Sequence, residues 1–150
     1  MALSAQIAIG LGWTGLAIAI AALFIVILSE YLDFIVSFFI RLPDGARNMI
    51  VLTLSALWLM LGIIAITFLW TGLFAMLDVF DSVEAGFYFT LICLTTVGFG
   101  DVILPDEWRV LAGFLAADGF IIFGLDTALL FEVLRRLRDA EIKNRIAKGR

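Results

Sequence analysis

Residues 95–101 read Thr-Thr-Val-Gly-Phe-Gly-Asp. Gly98 and Gly100 alternate with Val97 and Phe99, a hydroxyl precedes them at Thr96, and a carboxylate closes the run at Asp101. The chemistry such a strip offers is that of its own backbone carbonyls. Successive carbonyls turned one way can replace the water shell of a small cation. To turn them so, the chain must alternate between right- and left-handed backbone regions, and glycine enters the left-handed ones without a Cβ penalty. That assigns the left-handed positions to Gly98 and Gly100. The Thr96 hydroxyl adds one more oxygen at the inner end, while Val97 and Phe99 are expected to point away and wedge the strip against its surround. Other chemistry is poorly served. The sequence has no histidine, and Cys93 is its single cysteine, so it can form no internal disulfide. No nucleophile–base set, metal-ligand cluster or phosphate loop stands out, so an enzyme is not expected.

Irregular backbone is tolerated at membrane depth only where protein buries it or where it lines a water-filled path. The flanking elements place it at that depth. The chain has 150 residues, and 63% are hydrophobic, well above the usual soluble share of about half. Residues 7–28 and 49–77 contain no charge, and 110–134 is apolar apart from Asp118, Asp126 and Glu132. About 20 residues suffice to cross roughly 30 Å of hydrocarbon, so each is a span. No basic residue precedes the first, which argues against a cleaved signal. Between the second and third spans, residues 81–95 open with Asp81 and Glu84 in capping-box spacing. Their apolar run of about a dozen residues is too short to span and suits a re-entrant helix. That helix would aim the negative end of its dipole inward, below the strip.

Between the first two spans, Glu30, Asp33, Ser37 and Arg41 recur at three- and four-residue steps. This predicts a separate amphipathic helix over 30–41 lying in the inner interface, in preference to one helix over 7–40. Pro43, Asp44 and Gly45 then make a turn. Arg41 and Arg47 precede the second span, and seven of the ten basic residues follow the third, from Arg135 to Arg150. Both places are expected to be cytoplasmic, leaving the N-terminus and residues 78–109 outside. The outer segment carries Asp78, Asp81, Glu84, Asp101, Asp106 and Glu107 against Arg109, an acidic face that would draw cations. The division expected is 1–47 for the first span and interfacial helix, 48–134 for a pore domain, and 135–150 for a short basic tail. The tail would rest on anionic lipid headgroups, and nothing suggests a nucleic-acid partner.

Thr96-Val97-Gly98-Phe99-Gly100-Asp101 resembles the signature filter of the potassium channel family, in its GFG form. Residues 88–101 are similar to the second pore segment of the two-pore-domain potassium channels. Residues 118–130 are similar to the inner helix of the two-span bacterial channels. The resemblance covers roughly residues 48–134. It implies an all-α membrane protein with three transmembrane helices, a re-entrant pore helix and a selectivity filter. Potassium would be held by the carbonyls of Thr96, Val97, Gly98 and Phe99 and by the Thr96 hydroxyl, with Gly100 completing the motif. One filter per chain implies a homotetramer, and no cofactor beyond the permeant ion. Asp101 would sit behind the outer filter, where Tyr88 falls at the position of an aromatic donor to it. Ile92 departs from bacterial members that carry a glutamate there, so their inactivation behaviour does not transfer. Gly119 and Gly124 match family glycines, the first at a hinge, against the plainer reading of close helix packing.

Stepping 100° per residue from Phe120 gathers Phe123, Thr127 and Phe131 on one side, which matches the family's cavity-lining face. Phe131 is placed near an inner constriction, where an aromatic ring can gate by excluding water. Asp126 falls at the edge of that face, where four copies could ring a cavity with carboxylates. Asp118 points away and would hydrogen-bond behind the filter. The plain alternative makes both uncharged, hydrogen-bonded packing residues, since no span offers a base to neutralise them. A voltage sensor is missing too. The function expected is passive potassium conduction. A less selective cation channel and a non-conducting subunit of a larger channel are the alternatives.

Overall fold

The computed structural model describes residues 2–39 and 42–148. Among them stand four α-helices and no strand: α1 Leu3–Phe38, α2 Asp44–Met76, α3 Val83–Leu94 and α4 Arg109–Lys148. Three are long and apolar enough to cross a membrane, namely α1, α2 and the stretch Arg109–Ile146 of α4. The expected all-helical fold with three spans is what the chain adopts.

The first loop region differs from expectation. The separate helix over 30–41 is the last part of α1 as far as residue 38, while residues 40 and 41, with Arg41, lie outside the described residues. No glycine or proline falls between Gly15 and Pro43, and each further helical residue adds a hydrogen bond for one residue fixed. Ser29 and Ser37 turn their hydroxyls onto the carbonyls of Val26 and Phe34, at 2.9 and 2.8 Å, so neither breaks the ladder. Packing holds the extension, since Leu32 and Val36 are buried with Val51, Val133 and Leu137. Asp33 pairs with Arg136 at 3.1 Å.

The short elements are set by their ends. α2 stops where Asp78 takes a left-handed φ of 52°, and the Val79 N–H returns to the Phe74 carbonyl at 3.1 Å. That six-to-one closure satisfies an orphan carbonyl and usually uses glycine. α3 is capped by Ser82 rather than by Asp81: Ser82 is extended (φ −148°, ψ 153°), and its hydroxyl accepts from the Ala85 N–H at 3.1 Å. Asp81 lies one residue too early for that bond, and Glu84 serves the first turn through the helix dipole. α4 continues through the expected tail, stitched by Glu132 to Arg135 and Arg136 and by Glu141 to Arg145. Arg150 lies outside the described residues.

Two compact units cut across the long helices. The first comprises Met1–Ala22 and Gly62–Gly124. Its core packs Ala17, Ile66, Trp70, Phe74, Phe89, Leu94, Leu111 and Leu115, with Trp70, Phe80 and Phe89 arranged around Phe74 at ring separations of 5.7–5.9 Å. The second comprises Leu23–Leu61 and Leu125–Arg150. It holds the cluster around Val51 and Val133 and a smaller one of Leu28, Leu59 and Leu129.

Candidate ion path

The first unit carries the strip singled out above. α3 ends at Leu94, and the Thr95 hydroxyl and N–H both turn back to the Leu91 carbonyl, at 2.7 and 3.0 Å. Beyond it the backbone alternates. φ is positive at Thr96 (59°), Gly98 (51°) and Gly100 (75°), with Val97 and Phe99 between them outside the left-handed region. The N–H groups of Val97 and Gly98 both donate to the Ile92 carbonyl, at 3.0 and 3.1 Å. Alternating handedness puts successive N–H groups on one side of a strip and the carbonyls on the other. With two N–H groups drawn back to α3, the carbonyl side is left to face away from the helix. The left-handed glycines match the expectation. Thr96 was not foreseen there, because a β-branched residue pays for a positive φ.

Every residue from Thr96 to Gly100 is exposed in the single chain. The wedge expected of Val97 and Phe99 finds no surround within the chain: Phe99 stands 71% exposed. Tyr88 and Asp101 are brought together, the phenol donating to Asp101 Oδ2 at 2.7 Å while the Val102 N–H donates to Oδ1 at 3.1 Å. The Tyr88 hydroxyl, and then these amide contacts, hold the Asp101 carboxyl below its ordinary range; the same bond raises the phenol. Ile92 is a buried core residue whose backbone, not its side chain, serves the strip.

Behind the strip, Gly119 packs directly on the end of α3. A Cβ built there would fall 1.8 Å from the Leu94 carbonyl oxygen. The packing role weighed for Gly119 is thus present in the geometry, whereas a Cβ at Gly124 would meet nothing. Asp118 is fully buried, and its Oδ2 accepts from the Trp70 Nε1–H at 2.9 Å. Sequence reading missed Trp70, one tryptophan in an uncharged run. The signal was indirect: a carboxyl among apolar residues must find a donor.

On α4, Phe120, Phe123, Gly124, Thr127 and Phe131 share the exposed side, Phe120 and Phe131 being more open than Phe123. Asp126 does not join them. It lies on the buried stripe with Ile122, Leu129 and Val133, only 9% exposed, so the carboxylate ring expected of it has no support here. The angular count put it at the edge of the exposed face, and its burial sets it on the covered side instead.

A family model described as ion channel matches residues 50–136, more than half of the chain. The chain belongs to the ion channel family. With three long apolar helices it is a multi-pass membrane protein. No match was found among curated proteins or solved structures.

Proposed function

We propose that the chain conducts potassium ions selectively and passively through a filter built by four copies of Thr96–Gly100. The observation that carries this reading is the sign alternation of φ from Thr96 to Gly100, with the Val97 and Gly98 amides tied to Ile92. A strip so arranged can present a column of carbonyls, and a column from four chains can strip a cation of its water. α3, with 12 residues, spans only about 18 Å, which suits a helix that enters the membrane and returns. The exposure of an irregular segment beside spanning helices also favours assembly, because lipid cannot satisfy its backbone groups. In the tetramer, Val97 and Phe99 would find the apolar surround they lack in one chain. The outer helix is then α2, the pore helix α3 and the inner helix α4, with the exposed stripe from Phe120 to Phe131 lining a cavity. Phe131 is the proposed inner constriction. The basic end of α4 lies on the cytoplasmic side, against anionic headgroups, and the N-terminus outside.

The test is ion flux into liposomes holding the purified protein. A potassium gradient should drive uptake that sodium does not support. Equal uptake of both ions would leave a channel without selectivity, and no uptake of either would leave a silent subunit; each outcome overturns the proposal.

A further inference from the structure

All of α1 precedes the segment that matches the ion channel family, and the proposed path gives it no task. Within the unit Met1–Ala22 and Gly62–Gly124, its first turns lie along the first turns of α4 in one register. The buried Gln6 side chain accepts from the Val110 N–H at 3.3 Å, satisfying one of the donors that a helix start leaves orphaned. A Cβ added at Gly10 would fall 2.4 Å from the Phe114 ring, so the ring rests on bare backbone. Residues 6 and 10 thus meet 110 and 114 at a constant offset, as two helices running in the same direction. α1 is itself tied to α2, where Trp13 Nε1–H donates to the Leu69 carbonyl at 3.1 Å beside Trp70, the donor to Asp118. The next residue of α4, Gly119, bears on the Leu94 carbonyl, where α3 gives way to the strip.

We propose that α1 is a positioning element for the ion path. Gln6 and Gly10 fix the height of α4 along its axis, and the Gly119–Leu94 contact passes that height to residues 95–100. Two features make the register discrete. Phe114 fits only where α1 lacks a Cβ, and the Val110 donor finds its acceptor only at the same setting. Close-packed helix pairs of this kind step between arrangements and do not slide continuously. The consequence for conduction rests on reading Thr96–Gly100 as the filter. The mechanical coupling does not.

The experiment compares wild type, Gln6→Leu, Gly10→Ala and the double variant Gly10→Ala with Phe114→Leu. Two readouts are taken on the purified protein in bilayers: single-channel open probability with the potassium-to-rubidium permeability ratio, and amide hydrogen exchange at Val97 and Gly98. Gln6→Leu and Gly10→Ala should each change open probability and the exchange of both amides by roughly two- to thirty-fold, the range of measured coupling effects. Shortening Phe114 should return Gly10→Ala towards wild type. A role confined to stability would lower the melting temperature and leave both readouts at wild-type values in the folded protein, which would overturn the proposal. Should Gly10→Ala fail to fold, Gln6→Leu decides by the same two readouts. A wild type that passes no potassium sinks the filter reading instead, and the exchange rates still decide whether α1 positions the strip.

Discussion

Thr96 carries the least comfortable backbone of the strip. A non-glycine residue held at a φ of 59° is costly, by roughly 1–2 kcal/mol, and it persists only where the surroundings impose it. Here the imposition is visible as paired amides on one carbonyl, that of Ile92. Gly98 and Gly100 could be read directly from the sequence, because their residue type states the need for a left-handed φ. Thr96 could not, since its type argues the other way, and the Trp70 donor to Asp118 was hidden among residues chosen for apolarity. The Tyr88–Asp101 bond was legible through resemblance, and it yields a pH prediction. Donation from Tyr88 depresses the Asp101 pKa, so the charged, bonded form is present above the ordinary carboxylate value of about 3.9 and is lost only as the pH falls through the lower folded value. Tyr88→Phe removes the main cause of that depression. Acid applied to the side bearing Asp101 should then alter ion current at a higher pH than in wild type. Coincident titration curves would show that the phenol does not hold this carboxyl in the working channel.

Element ends were harder to read than element types. The three spans and the short apolar helix before the strip follow from length and hydropathy, which are properties of whole segments. The cap of α3 depends on one residue's place, and Ser82 takes it because the extended backbone there brings its hydroxyl to the Ala85 N–H. Ser82→Ala should cost about 0.5–2 kcal/mol of stability, read as a lowered unfolding midpoint with ion flux retained. An unchanged midpoint would mean that Glu84 and the dipole suffice. The length of α1 is illegible in the sequence pattern for a different reason. The polar positions 30, 33 and 37 do form a stripe, but periodicity cannot tell an interface-bound helix from one side of a longer helix. Tertiary contacts decide that, and here Leu32 and Val36 have partners on α2 and α4.

At the scale of the whole molecule, the single chain leaves its most informative surface uncovered. The strip from Thr96 to Gly100 and the α4 face from Phe120 to Phe131 are exposed, although both adjoin spans that bury their other sides. Asp126 shows how much this depends on real packing: an angular count placed it near the open face, and the helices beside α4 took it into the interior. In the proposed assembly, four copies would cover Val97 and Phe99 and bring four carbonyl columns to one axis. Sequence suggested four chains only through resemblance, because nothing in one chain's pattern counts its neighbours. The direct measurement is diffraction from crystals of the full chain grown with thallium, a potassium substitute that reports its position by anomalous scattering. A row of thallium peaks on a fourfold axis, each caged by carbonyls of residues 96–99 from four subunits, is the predicted result. Thallium bound away from those oxygens, or subunits whose strips never share an axis, would contradict it.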